Sequence, residues 1–300
     1  MNNNLDVYIS FWGFKDFDPN NLDESLKFII SMMTTSWFYA SEHYENVYLV
    51  TDSKSKPLFS NIPFTKIYTE LDSLSNLDPK YYRYWSLGKI KTMEFAAGFN
   101  RPFVQIDYDV FLRRPLPEWL ISADLFCQSP EPVDIFPYNL DVFYEKFGYF
   151  GYSKDKSLDA YNCGIFGVSN LDFIKKFAKS AFAFVEHVDN QWVFDLEHDK
   201  ENYNGSHMYL SSASSNLAGF QCAIWIEQYY LACAAKQEGI EVKLLFNGWE
   251  RNEEFSKLAE KYGYIHLMEG KNNPIRIEQI NKFANKVISK GYDHDLVYDS

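Results

Sequence analysis

The sequence predicts an α/β protein built on an open, mostly parallel mixed sheet flanked by helices. Three observations carry this. Strand-like runs alternate with helix-like runs, at the lengths of crossover units, through the first 130 residues. The chain has 300 residues, 46% of them hydrophobic, which is enough for a substantial core. No internal repeat, low-complexity tract or linker divides it, so a single domain over 1–300 is expected, with 1–130 and 131–300 as its two halves.

Each element has its own justification. Leu5 to Trp12 reads as a first strand ending at Gly13, followed by the loop "FKDFDPNN". Asp23 is placed to cap a helix that carries Leu26, Ile30, Met33 and Trp37 at helical spacing. "NVYLVTD" and "FTKIYTE" read as the second and third strands, and "SLGKIKTMEFAAGF" as a helix with Leu87, Ile90, Met93 and Ala97 on one face. Phe103 to Asp107 is a further strand, and "SADLFCQS" another, ending near Pro130. Residues 131–160, rich in Tyr, Phe, Pro and Asp, predict long loops over the site. "YNCGIFGVSN" is a strand, Leu171 to Val188 an amphipathic helix, and 189–220 a second long polar loop. Ala223 to Gln237 is a helix stopped by Gly239, and "VKLLF" a strand. A last helix places Ile277, Ile280, Ala284, Val287 and Ile288 on one side, with Gly291 after it.

Bulk properties narrow the function. A formal net charge of -12 argues against nucleic acid or an anionic membrane as partner. The cysteines (Cys127, Cys163, Cys222 and Cys233) form no CxxC pair and lie in apolar contexts, as free thiols in a reducing compartment do. The start "MNNNLDVYIS" has no basic region followed by an apolar run, and no stretch approaches the ~18 apolar residues of a spanning helix. A cytoplasmic protein with no membrane span is the expectation.

The stretch "RPFVQIDYDVFLRRP" raises the question of chemistry. Asp107 and Asp109 are like charges at the end of a strand, where they repel each other and lose hydration. A divalent cation would relieve both costs. A solvated turn, or pairing with Arg113 and Arg114, would also relieve them. In open α/β sheets ligands bind at the carboxyl ends of strands, which is where these residues lie.

Asp-Tyr-Asp in this position resembles the DXD motif of GT-A glycosyltransferases. Three further features agree in order. A helix with Lys89 and Lys91 precedes the strand; "YNCGIFGVSN" resembles the Asn-x-Gly segment of the sugar and acceptor pocket; "HLMEGKNNP" resembles a His-x-x-Gly-x-Lys element. The likeness covers 5–130, 161–170 and 222–273. The chain also resembles bacterial and fungal families with a DXD sugar-binding region. It departs from them where "YWSLGKIKT" and "GFNRPFVQ" replace their lead-in, which suggests a separate bacterial branch.

The resemblance implies a metal-dependent transferase moving a sugar from a nucleotide donor, a UDP-sugar for preference, to a saccharide or lipid-linked hydroxyl acceptor. It makes 1–130 the nucleotide-binding half and 131–300 the acceptor side. Asp107, Asp109 and His266 would hold Mn²⁺ or Mg²⁺, and a histidine favours Mn²⁺. Ser10, Phe11 and Trp12 would hold the base, with Tyr108 stacking near it; Asp107 and Asp109 would also meet the ribose, Asn162 and Gly164 the sugar, and Gly270 and Lys271 the diphosphate. Of Lys89 and Lys91, near opposite faces of their helix, one would face the donor, and Lys89 is taken as that one. Asp109 and Glu227 would be catalytic, Glu227 as a helix-borne base with Gln228 as an alternative polar partner.

Other readings stand beside these. His266 between Ile265 and Leu267 also suits a packed, hydrogen-bonded ring, Glu227 an exposed surface charge, and Trp12 and Tyr108 the core. "FVQIDYDVFL" also resembles the first motif of haloacid-dehalogenase-like phosphatases with Asp107 as nucleophile, although Val110 and Phe111 replace the small pair expected there. A non-catalytic sugar-binding relative is the third reading.

Overall fold

A computed structural model describes residues 5–13, 21–75, 84–133, 138, 140–154, 157, 159–191, 219–249 and 252–292. Nine strands are named among these: β1 (Asp6–Ser10), β2 (Val47–Val50), β3 (Lys66–Tyr68), β4 (Phe103–Ile106), β5 (Val110–Leu112), β6 (Leu125–Pro132), β7 (Asp159–Val168), β8 (Val242–Leu244) and β9 (Tyr264–His266). The helices are α1 (Glu24–Ser41), α2 (Asp72–Ser75), α3 (Leu87–Ala97), α4 (Glu118–Ile121), α5 (Leu140–Phe147), α6 (Leu171–Gln191), α7 (Gly219–Ile224), α8 (Tyr230–Gln237), α9 (Glu253–Tyr262) and α10 (Pro274–Ser289).

Seven strands form one sheet in the order β3-β2-β1-β4-β7-β6-β8. Strands β1, β2, β3 and β4 pair in parallel, as do β6 and β8, while β7 runs antiparallel to both of its neighbours. The α/β class with a mostly parallel mixed sheet is therefore as the alternation predicted. Six strands end at one edge, and β7 begins there. Alternation along β1 and β4 sends side chains to two cores. Val7, Ile9, Val104 and Ile106 face α1 and α10, whereas Tyr8 and Phe103 join a core containing Leu87, Ile90, Met93 and the α6 residues Phe173 to Val188.

Local signals explain the helices. Asp23 accepts a hydrogen bond from the Leu26 amide at 2.8 Å, the predicted cap of α1. Met33, Trp37 and Phe38 of that helix are buried, each contributing roughly 1.5–3 kcal/mol by leaving water. Asn252 caps α9 and Gly263 ends it at φ 60°, a left-handed turn that feeds straight into β9.

Two expectations need correction. Residues 131–160 are not simply long loops: α5 forms within them, burying Phe143, Tyr144 and Phe147 at helical spacing, and β7 begins at Asp159. The helix expected at Ala223 to Gln237 is not regular throughout, because Trp225–Tyr229 widens into a π-helical turn between α7 and α8. The predicted second loop falls mostly on 192–218, outside the described residues.

Candidate metal and diphosphate site

The site grows from the end of β4. The Val110 amide donates to the Asp107 carbonyl at 3.0 Å, closing a turn that carries both aspartates, and β5 follows at once. Strand β5 pairs antiparallel with β9, setting Val110 opposite His266 and Leu112 opposite Tyr264. The Leu267 amide donates to the Asp109 carbonyl at 3.1 Å and extends this ribbon. The buried side chains of Val110 and Leu112 thus anchor a strand from the far end of the sequence beside the aspartates.

Oxygens of Asp107 and Asp109 and a ring nitrogen of His266 all lie within 4.8 Å of one another. His266 Nε2 is 3.9 Å from Asp107 Oδ2 and 3.6 Å from Asp109 Oδ2. Its Nδ1 lies 2.7 Å from Gln128 Oε1, an acceptor, which assigns the ring hydrogen to Nδ1 and leaves the Nε2 lone pair toward the carboxylates. The Tyr264 hydroxyl donates to the same Gln128 oxygen at 2.5 Å. Burial holds the His266 pKa below the usual imidazole value, against the pull of Asp109 and Asp107. A lone pair facing two carboxylates is an unfavourable arrangement in itself, and a cation among them makes it favourable. The donor set, one imidazole nitrogen with hard oxygens, fits Mn²⁺ or Mg²⁺.

Close approach requires a glycine here. A Cβ on Gly164 would lie 2.5 Å from His266 Cε1 and Nδ1 and 2.5 Å from Gln128 Oε1. The Gly164 carbonyl accepts from the Asp107 amide, and its own amide donates to Asn162 Oδ1, both at 3.0 Å. Asn162 Nδ2 in turn donates to Glu131 at 2.6 Å.

Two lysines flank the aspartates. Lys89 Nζ is 2.7 Å from Asp107 Oδ1, donates to the Cys163 carbonyl at 3.1 Å, and pairs with Glu227 Oε1. Glu227 is wholly buried on the π-helical turn, where burial raises its carboxyl to about 7 although Lys89 opposes the rise. Lys271 Nζ is 2.8 Å from Asp109 Oδ2 and 5.4 Å from the centre of the Tyr108 ring. Burial works against the Asp109 charge, but the Lys271 ammonium beside it holds the carboxyl below its usual range.

The remaining predicted residues are arranged around this centre or behind it. The Ser10 hydroxyl accepts from Gln105 Nε2 at 3.1 Å, and Phe11 packs edge-on against Phe59 and Tyr108. Trp12 is buried in the core, where a Cβ on Gly88 would come within 2.9 Å of its own Cβ. Gly270 lies on the short 3-10 turn Met268–Asn272 that carries Lys271. Lys91 is directed away, to Glu94 at 2.8 Å and Glu70 at 3.6 Å. Sequence reading missed Gln128, Tyr264 and Glu131. Gln128 sits at a bulge in β6, between Cys127 and Ser129, and bulges re-aim side chains without a sequence signature of their own.

A family model matches residues 7–295. The chain belongs to DUF6734, a family of unknown function. No curated protein sequence matches it. Among solved structures it is similar to an active-site mutant of LgtC, with 13% identity, covering 63% of this chain and 66% of that one at a TM-score of 0.37. Mouse xyloside xylosyltransferase 1 in its apo form shows 12% identity, covering 86% and 93%, at 0.38. LgtC in complex with donor and acceptor sugar analogs shows 13%, covering 89% and 100%, at 0.36. At TM-scores this low the likeness carries no weight for the chemistry, which is read from the side chains of the DUF6734 chain itself.

Proposed function

We propose that this member of DUF6734 is a metal-dependent glycosyltransferase that takes a sugar from a nucleotide donor, a UDP-sugar for preference, and passes it to a hydroxyl acceptor. The observation that carries this reading is the convergence of Asp107, Asp109 and His266 Nε2 at the carboxyl edge of the sheet, with an ammonium beside each aspartate. A divalent cation held by these three residues would supply the positive charge that a departing nucleoside diphosphate requires.

The chain's own groups have distinct proposed tasks. Gln128 keeps the Nδ1 hydrogen of His266 occupied, so that Nε2 stays available as a ligand. Lys271 is the cation placed to meet diphosphate oxygens. Ser10, Phe11 and Tyr108, near the ends of β1 and β4, are proposed to meet the base, and Asn162 the sugar. Glu227, expected from the sequence as a base, is enclosed here; its proposed task is to hold Lys89 against Asp107, as a positioning residue. Residues 1–130 are proposed to supply most of the nucleotide side, joined there by His266 and Lys271, and the rest of 131–300 the acceptor side, where a saccharide or a lipid-linked precursor is proposed. No helix among the described residues is long and apolar enough to cross a membrane. The four cysteines are buried and none is in a disulfide, which suits a reducing compartment, and the cytoplasm is the proposed location.

The test is a panel of nucleotide sugars with Mn²⁺, Mg²⁺ or chelator, followed by release of free nucleoside diphosphate. The expected result is metal-dependent release from at least one donor, abolished in Asp109→Asn. Equal turnover in chelator would overturn the metal assignment. A phosphate adduct on Asp107 would favour a phosphatase instead.

A further inference from the structure

The two aspartates each have an ammonium partner already, and the two partnerships differ. Lys89 donates toward three acceptors, Asp107, Glu227 and the Cys163 carbonyl, which uses all three of its N–H groups in a buried setting. Lys271 keeps 27% of its side chain exposed and is carried by a short turn. It contacts Asp109 Oδ2, which is also the carboxylate oxygen nearest to His266 Nε2, at 3.6 Å. A cation bound between that oxygen and that nitrogen therefore becomes a close neighbour of the Lys271 ammonium.

Charge counting gives this neighbourhood a consequence. Asp107, Asp109 and Glu227, when ionised, are balanced to within one charge by Lys89 and Lys271, and His266 is neutral. A divalent cation turns this small negative excess into a positive one, at short range and largely out of water, where like charges repel strongly. A diphosphate reverses the balance again. Lys89 is locked among its three acceptors, whereas Lys271 is partly exposed and has a single carboxylate contact among the described residues, so it is the ammonium able to turn to the phosphate oxygens.

Resting on the reading of the site as one for metal and nucleoside diphosphate, we propose that Lys271 couples the two ligands. Its ammonium opposes a divalent cation that arrives alone. It then shifts its partnership from Asp109 to the diphosphate when both are present. By linkage, each ligand then raises the affinity for the other by the same factor. Lys271 thereby makes the protein a receptor for the metal–nucleotide pair and a poor one for the bare metal ion.

Calorimetry of the full chain with Mn²⁺ alone, UDP alone and Mn²⁺ at saturating UDP tests this, in the native protein, Lys271→Met and Lys271→Arg. Thermal melting confirms that each variant is folded, and Lys271→Gln replaces the methionine variant should that one fail to fold. The native protein should show coupling of about 10-fold or more between the two ligands. Lys271→Met should bind Mn²⁺ alone about 5-fold or more tightly than native, yet bind UDP in the presence of Mn²⁺ more weakly. Lys271→Arg, which keeps the charge, should behave as native. A Lys271→Met protein that binds Mn²⁺ alone equally or less tightly overturns the coupling while leaving the site reading intact. A native protein that binds neither Mn²⁺ nor UDP under any condition overturns the site reading, and the coupling with it.

Discussion

Lys89 and Lys271 reach the same pair of carboxylates from opposite sides, and the chain installs them by different means. Lys89 stands in the first turn of α3, beneath the sheet edge, with a buried glutamate and a backbone carbonyl completing its shell. Lys271 stands on a short turn after β9, partly in water, with its ammonium 5.4 Å from the centre of the Tyr108 ring. One flank is part of the core and holds Asp107 in place. The other is partly exposed, and the proposed coupling requires it to turn toward an arriving ligand. A site that binds an anion through a metal has use for both: fixed ligands to define the position, and a mobile charge to answer the anion.

The largest expected effect tests whether Lys89 is structural in this sense. Lys89→Met leaves Glu227 and Asp107 without their buried counter-charge, and breaking such a pair costs about 3–5 kcal/mol. Denaturant unfolding should show that loss, and Lys89→Met with Glu227→Gln should recover most of it. Lys271→Met removes one partly exposed contact from the buried Asp109 carboxylate, where Lys89→Met empties a fully buried three-way contact, and should therefore cost measurably less stability. Equal losses at the two lysines would erase the distinction between the flanks.

Next in size is Gly164→Ala. The added methyl meets the His266 ring and Gln128 at 2.5 Å, so the ring must move or the strands must part. A cost of about 1–3 kcal/mol is expected. Mn²⁺ binding should fall further than stability alone explains, since the displaced ring carries Nε2 with it. Unchanged Mn²⁺ affinity would remove His266 from the ligand set.

A smaller effect concerns pH. The Glu227 carboxyl is raised from 4.5 to about 7 by burial in the folded chain, so its contribution is fully present below the lower value. That contribution is lost as pH rises through the upper value. Glu227→Gln cannot ionise, and its melting temperature relative to native should therefore rise between pH 5 and pH 8. A constant difference across that range would mean that Glu227 is ionised throughout. The smallest shift is expected at His266, whose lowered pKa keeps Nε2 unprotonated to below the ordinary imidazole value of 6.5. Mn²⁺ affinity should hold steady down to pH 6.5 and decline only at more acidic pH; a decline already complete above 6.5 would contradict the burial argument.

Sequence and structure agree where chemistry is local. Asp23 before a helical run is a cap by residue type and spacing, and Asp107 and Asp109 at a strand end announce themselves by their mutual repulsion. The ribbon of β5 and β9 was not legible in the same way. Each strand has three residues, too few for an alternating pattern, and their pairing joins distant parts of the chain. The direction of β7 was hidden for a related reason: alternation identifies a strand and says nothing about which way it runs. Helix α5 was obscured by Pro and Asp around it, although Phe143 and Phe147 carry its spacing. Helix α9 did have signals, namely Asn252 before Glu253 and Glu254 and a closing Gly263, and these were readable without the structure. Gln128 could be found only once the fold had brought Tyr264 and His266 of β9 within side-chain reach of β6.

The central claim is that Asp107, Asp109 and His266 together hold a divalent cation for a nucleoside diphosphate. A crystal grown with Mn²⁺ and UDP, with diffraction collected at the manganese absorption edge, tests it most directly. One strong anomalous peak is expected, bonded to a carboxylate oxygen from each aspartate and to His266 Nε2, with diphosphate oxygens and the Lys271 ammonium beside it. A well-ordered UDP with no anomalous peak at these three residues, or a manganese peak elsewhere on the chain, would contradict it.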